Sequence, residues 1–261
     1  SSATAEDLPD ASFAGQQETY LNGSGGPQIL EAIKKCIASL FTDRAISYRE
    51  DKKFSHFDIA RSVGVQKMVR SDKATSGVAF SIDTETGFDK VIIINSSYGL
   101  GEMVVQGKVT PDEFTVFKPA LKEGLAGIIA RDLGEKEVKM IYEGRGTKIV
   151  NVSRADRERF SMTDEEVTKL AAWVVKIEEY FSQKRGHYQP MDTEWAKDGI
   201  TGELFIVQAR PETVHSVRNK NMYREYRLLE KAQPIVIGTA VGSKISLGKT
   251  RIIRDVKNIS Q

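Results

Sequence analysis

Asp192 and Glu194 stand two residues apart in Met191-Asp192-Thr193-Glu194-Trp195, and Gln208 and Arg210 stand two apart in Leu204-Phe205-Ile206-Val207-Gln208-Ala209-Arg210-Pro211. On an extended strand alternate side chains share a face, so each pair projects to one side of its strand. If the two strands form a hairpin, two carboxylates come to lie beside an amide oxygen and a guanidinium. Mg²⁺ takes a few hard oxygen ligands from protein and leaves the rest to water or substrate phosphates, and a guanidinium grips phosphate oxygens in pairs. The chemistry implied is metal-assisted phosphoryl transfer, in which positioning and charge neutralisation carry most of the catalysis. The same spacing also fits a half-exposed polar strand face whose carboxylates merely pair with Arg210.

Three further segments hold residue types that suit a nucleotide. Ser1–Thr19 is rich in small and hydroxyl residues, with Gly15 beside Gln16 and Gln17, so its backbone N–H groups can approach phosphates closely. It lacks the Gly-x-x-x-x-Gly-Lys-Ser/Thr pattern of a Walker A loop, and a solvated loop has the same composition. Gln66-Lys67-Met68-Val69 closes an apolar run and can offer backbone hydrogen bonds to an adenine edge, or be an ordinary buried strand. Gly99-Leu100-Gly101-Glu102 is either a turn or a loop that sets Glu102 near ribose or metal. His56, His187 and His215 sit in unrelated polar contexts without partners at metal-ligand spacing, and read as surface histidines. Cys36 lies in Ile29–Phe41 among apolar residues at helical spacing and reads as a buried structural thiol.

The elements that must position these residues follow from period and punctuation. A breaker cluster at Gly23–Pro27 precedes a helix from about Gln28 to Glu50. His56–Val69 reads as a short helix followed by the apolar strand Val63–Val69. Gly77–Ile82, Val91–Asn95 and Glu113–Lys118 are strand-like, as are Lys139–Tyr142 and Thr147–Val150. Thr163-Asp164-Glu165-Glu166 is a capping box opening a helix to about Gln183, with Val167, Leu170, Val174, Ile177 and Phe181 on one face. Strands Met191–Ala196 and Glu203–Ala209 follow, joined by the turn Lys197-Asp198-Gly199. The fold class is α+β, with a mixed, mainly antiparallel sheet flanked by helices. The domain reading is 1–218 for the main domain, 219–237 for a charged linker and 238–261 for the opening strands of another unit.

Composition narrows the partners. Lys and Arg total 38 against 36 Asp and Glu, so no general field holds nucleic acid or an anionic membrane. One cysteine excludes an internal disulfide and suits reducing cytoplasm. No apolar run approaches the roughly 20 residues that span a bilayer.

The segment from Ser1 to Gln17, together with Met191–Trp195 and Gln208-Ala209-Arg210-Pro211-Glu212-Thr213, resembles the pyruvate phosphate dikinase and phosphoenolpyruvate synthase family, a likeness that rifampicin phosphotransferases share. Gln66–Lys73 with Ser76-Gly77-Val78, and Ser97–Glu102 followed by Val104–Gly107 and Pro111–Phe114, narrow it to the phosphoenolpyruvate synthase branch. The resemblance implies an ATP-grasp domain that uses Mg²⁺ and ATP and passes a phosphoryl group to a histidine on a swivelling domain. Pyruvate would bind on a separate barrel of a homo-oligomeric enzyme. It further implies that Glu194 and Gln208 bind Mg²⁺ and ATP, Asp192 supports them, and Arg210 is the catalytic residue that holds phosphate. Gly15, Gln16 and Gln17 would cover the phosphates, Gln66, Lys67, Met68 and Val69 would line the adenine pocket, and Glu102 would contact the nucleotide.

The family places an Arg directly before the stretch that begins here at Ser1 and a nucleotide-binding Lys further upstream. Its Gly-Gly-x-Thr-x-His stretch would fall beyond Gln261. The expectation is therefore a fragment that does not turn over alone. The other readings are a rifampicin-type phosphotransferase fragment and a non-catalytic nucleotide-binding module.

Overall fold

β-branched side chains are stiff at χ1 and pack well on a pleated surface, and Val91-Ile92-Ile93-Ile94 accordingly forms the middle of a sheet. The computed structural model describes residues 2–3, 7–8, 11–12, 18–56, 59–212, 230, 233–236 and 245–249. The chain divides into two units, Ser1–Arg218 and Asn219–Gln261. In chain order the first contains β1 (Ser2–Ala3), β2 (Asp7–Leu8), β3 (Ala11–Ser12), α1 (Gly26–Ala38), α2 (Asp43–Lys52), β4 (Arg61–Ser62), β5 (Thr75–Phe80) and β6 (Val91–Tyr98). There follow α3 (Glu102–Val105), β7 (Asp112–Phe117), α4 (Lys118–Lys122), β8 (Ile128–Asp132), β9 (Val138–Glu143) and β10 (Gly146–Asn151). The last are α5 (Arg154–Arg157), α6 (Asp164–Arg185), β11 (Met191–Lys197) and β12 (Leu204–Pro211). In the second unit the described residues carry no helix or strand, and the expected strands at 238–242 and 250–253 lie outside the described residues.

Six strands form one sheet in the order β12-β11-β5-β6-β7-β8. Every pairing in it is antiparallel, the geometry in which one face can pack while the other stays wet. The packed face meets α6. Ile92, Ile94, Phe114, Val116 and Trp195 interleave with Val167, Leu170, Ala171 and Val174 in one core cluster. α6 starts where its capping box predicts: Thr163 Oγ1 accepts from the Glu166 N–H at 3.3 Å, and Glu166 Oε2 accepts from the Thr163 N–H at 3.1 Å. Gly186 ends the helix in the left-handed region at φ 72°, a conformation that costs an L side chain energy. Gly77 marks a close approach of β5 and β6, since a Cβ there would sit 1.9 Å from the Asn95 carbonyl oxygen.

Two expectations fail for local reasons. The single helix from Gln28 to Glu50 is broken into α1 and α2 by a 3₁₀ turn at Ser39–Phe41, after which Thr42 is extended at φ −71°, ψ 151°. Ser39 Oγ donates to the Cys36 carbonyl and Thr42 Oγ1 to the Ser39 carbonyl, the local bonding by which hydroxyl residues compete with a continuous helix. Residues 63–70 are irregular instead of the strand Val63–Val69, and no helix forms among the described residues between 53 and 60. Gly64 interrupts the run and Val65 is 62% exposed, so no buried face holds a strand register there. Cys36 is buried, with its thiol 3.5 Å from the Glu18 carbonyl. The apolar stripe around it is only partly used, since Leu30, Ile37 and Phe41 are exposed. Among the described residues no helix is long and apolar enough to cross a membrane.

Candidate functional site

β11 is held between β5 and β12, and alternation divides its side chains. Met191, Thr193 and Trp195 are buried toward the core, which turns Asp192 and Glu194 to the opposite face. Across the hairpin Asp192 pairs with Arg210 and Glu194 with Gln208. The register then slips, so that Trp195 faces Ile206 and Val207 is the extra residue. Without that bulge Ile206, two residues from Gln208, would share its face. The bulge turns the strand over, so Ile206 packs against the core while Gln208 and Arg210 line the cavity on the other side.

This cavity, of about 180 Å³, is bounded by the polar hairpin and by Val78 and Phe80 of β5 and Val104 and Val105 of α3. Small-molecule sites run from about 300 to 1,000 Å³, so the described residues enclose room for an ion and phosphate oxygens rather than for a whole nucleotide. Arg210 Nε lies 3.4 Å from Asp192 Oδ2. Burial holds the Glu194 carboxyl above its ordinary range, and the Glu102 charge adds to this while Arg210 opposes it. Glu102 opens α3 and accepts from the Gln106 amide one turn on. A half-buried carboxylate with a second carboxylate nearby attracts a cation, which would stabilise its charged form.

The predicted residues separate into three groups. Asp192, Glu194, Gln208 and Arg210 are brought together, and Glu102 acts on Glu194 through its charge. Gln66 reaches the edge strand β12, where its Nε2 donates to the Val207 carbonyl at 3.4 Å, at the bulge itself. Lys67, Met68 and Val69 do not line the cavity, and Lys67 is exposed. Gly15, Gln16 and Gln17 lie outside the described residues, as does His215. His56 is not a bare surface histidine: Arg49 Nε donates to its Nδ1 at 2.9 Å, and Nε2 lies 2.7 Å from Glu50. His187 bonds only the Arg185 carbonyl among the described residues. No group of three or more His, Cys, Asp or Glu poised to hold a metal occurs among the described residues.

Sequence reasoning missed the apolar wall. Val78 and Phe80 alternate with core residues in β5, but what places them at the site is the pairing of Val78 with Glu194 and of Phe80 with Asp192. A strand pairing across more than a hundred residues leaves no local signal.

Comparison with known proteins places the chain in a family. The family model described as "Pyruvate phosphate dikinase, AMP/ATP-binding domain" matches residues 1–230. Phosphoenolpyruvate synthase of Aquifex aeolicus (strain VF5) is 57% identical over 269 residues, covering 100% of this chain and 31% of that protein. Phosphoenolpyruvate synthase of Synechocystis sp. is 58% identical over 264 residues, covering 100% of this chain and 32% of that protein. The Escherichia coli (strain K12) protein of the same name is 52% identical over 266 residues, covering 100% and 33%. The chain spans about a third of the length of these curated relatives.

Proposed function

We propose that this chain, which belongs to the pyruvate phosphate dikinase AMP/ATP-binding domain family, is the ATP-binding part of a phosphoenolpyruvate synthase. The whole enzyme would convert ATP, pyruvate and water to phosphoenolpyruvate, AMP and phosphate through a phosphohistidine, as a homo-oligomer in the cytoplasm. The observation that carries the reading is the bulged β11–β12 hairpin, which sets Glu194 opposite Gln208 and Asp192 opposite Arg210 on one face.

The donor set suits Mg²⁺. One half-buried carboxylate and one amide oxygen, with a second carboxylate beside them, leave most of the coordination to phosphate oxygens and water, as this ion prefers. When bound, the ion would neutralise phosphate charge and polarise the phosphoryl group. In this reading Glu194 and Gln208 hold it, and Asp192 keeps Arg210 oriented through their contact. Arg210 then holds phosphate oxygens as charge moves during transfer. Val78, Phe80, Val104 and Val105 exclude water on the apolar side, which strengthens these interactions. Gly15, Gln16 and Gln17 are assigned to the phosphates, Gln66 to Val69 to the adenine, and Glu102 to the nucleotide or its ion.

Calorimetric titration of the 261-residue chain with ATP, with and without MgCl₂, tests this. Binding that requires Mg²⁺ and disappears in Glu194→Ala, with the fold intact by circular dichroism, is the expected result. Equal binding without Mg²⁺, unchanged binding in Glu194→Ala, or no binding by the folded chain would overturn it.

A further inference from the structure

A second and larger cleft, of about 660 Å³, lies at the other end of β11, where Lys197 lines it. Lys197 lies five residue steps along the strand from Asp192, roughly 16 Å, so this cleft is distinct from the proposed nucleotide face. Its volume falls within the range of small-molecule sites. Its walls come from the turn before β5, the segment before α6 and the β11–β12 loop.

Two of these walls are pinned together. The Gly199 N–H donates to the Arg70 carbonyl at 3.1 Å, and Asp198 Oδ2 accepts from the Arg70 N–H at 3.3 Å. A Cβ on Gly199 would come within 2.6 Å of the Lys73 backbone, so the loop seats directly on the turn.

Thr75 supplies the sharpest observation. It is 4% exposed and lines the cleft, and its Oγ1 is buried with no hydrogen-bond partner among the described residues. An unsatisfied buried hydroxyl costs on the order of 1–3 kcal/mol, and native structures seldom leave one without a reason. A bound acceptor would complete it.

Charge gives the sign of that acceptor. Lys73, Arg159 and Lys197 line the cleft with Glu166 and Asp198. Both carboxylates are committed. Glu166 pairs with Lys197 and accepts from the Thr163 N–H, while Asp198 accepts from the N–H groups of Ile200 and Thr201. Arg159 is tied to Asp156. Lys73 makes no ion pair among the described residues, so the uncommitted charge is cationic. Phe160 and Ile200 add exposed apolar surface, and Phe160 is braced by Phe114 at a ring-centroid distance of 5.4 Å.

We propose that this cleft binds a small organic carboxylate with a flat apolar body. The carboxylate meets the Lys73 ammonium and accepts from the Thr75 hydroxyl, and the body lies against Phe160 and Ile200. This goes beyond the nucleotide reading and does not depend on it.

Benzoate is the probe, titrated into the ¹⁵N-labelled 261-residue chain and followed by amide chemical shifts. The expected result is saturable shifts confined to residues 73–75, 159–163 and 198–202. Thr75→Val, which keeps the shape of the side chain, and Lys73→Ala, at an exposed position, should each weaken binding about tenfold, the loss of one hydrogen bond to a charged group. Inorganic phosphate, with charge but no apolar body, and benzyl alcohol, with the body but no charge, should bind more weakly. Scattered or non-saturating shifts would overturn the proposal. So would unchanged affinity in both folded variants, or phosphate binding as well as benzoate.

Discussion

Two sets of charged residues in this molecule look alike in composition and differ in how completely they are satisfied. Asp112 and Lys136 are both fully buried, and every strong valence of the carboxylate is filled. Asp112 Oδ1 accepts from Lys136 Nζ and from the Gly134 N–H at 2.9 Å, and Oδ2 accepts from the Ser161 N–H and Oγ, each at 2.7 Å. Lys136 also donates to the Gly134 carbonyl at 2.8 Å. The pair thus ties the start of β7 to the segments before β9 and α6. On the β11–β12 face, by contrast, Glu194 and Gln208 make no side-chain hydrogen bond among the described residues, and the Arg210–Asp192 contact is a loose 3.4 Å. A saturated buried network fixes structure, whereas a half-buried carboxylate without a donor awaits a ligand. Burial alone does not separate these cases. Saturation does.

Removing one partner from each set probes the contrast. Lys136→Ala should have the largest effect on stability, about 3–5 kcal/mol, because it leaves the Asp112 charge buried and unpaired. Urea denaturation measures it, and a loss below about 1 kcal/mol, the size of an exposed pair, would erase the distinction. Glu194→Gln should do the opposite. Its carboxyl is held above its ordinary range, so the folded state binds that proton more tightly than the unfolded state and the charged form opposes folding. The variant should therefore be slightly more stable than the parent at neutral pH without Mg²⁺, a gain that shrinks as the pH falls from the raised value down to the ordinary glutamate range. Its Mg²⁺-dependent ATP affinity should nevertheless fall about a hundredfold. Stability and affinity moving in the same direction would refute a ligand-awaiting carboxylate.

Asp192→Asn comes next. If Asp192 only orients Arg210, ATP affinity should fall about tenfold or less, and a loss as large as that of Glu194→Gln would make it a direct ligand. The smallest effect concerns the β11–β12 loop. The N–H groups of Ile200 and Thr201 hold the Asp198 carboxyl below its ordinary range, so their contribution to stability is present above that range and is lost as the pH falls through the lowered value. Hydrogen exchange at Ile200 and Thr201, corrected for intrinsic rates, should lose protection in acid while the core amides of β6 keep theirs. Equal loss in both would mean global unfolding instead.

Local rules carried much of the fold. The Thr163–Glu166 capping box and the spacing of Val167, Leu170 and Val174 place α6 and its buried face. Alternation and β-branched content place β5, β6, β7 and the β11–β12 hairpin. The pairs Asp192 and Glu194, and Gln208 and Arg210, were legible for the same reason, since a period of two needs no tertiary information. The 63–70 segment misled because apolar content resembles a strand when no partner strand is there to hold it. The Gln28–Glu50 helix misled because hydroxyl bonding at Ser39 and Thr42 is invisible to periodicity.

What composition and period settled about this chain is the face on which each polar residue of a strand projects, because backbone geometry fixes that over two or three residues. Only the tertiary structure decided which strands lie side by side. The β11–β5 pairing brings Val78 and Phe80 to the hairpin, the bulge at Val207 lets Ile206 enter the core while Gln208 leaves it, and the partners of Asp112 come from two distant segments. Such pairings close loops of tens to more than a hundred residues. Their cost in chain entropy is met by the core as a whole, so no single stretch of sequence announces them.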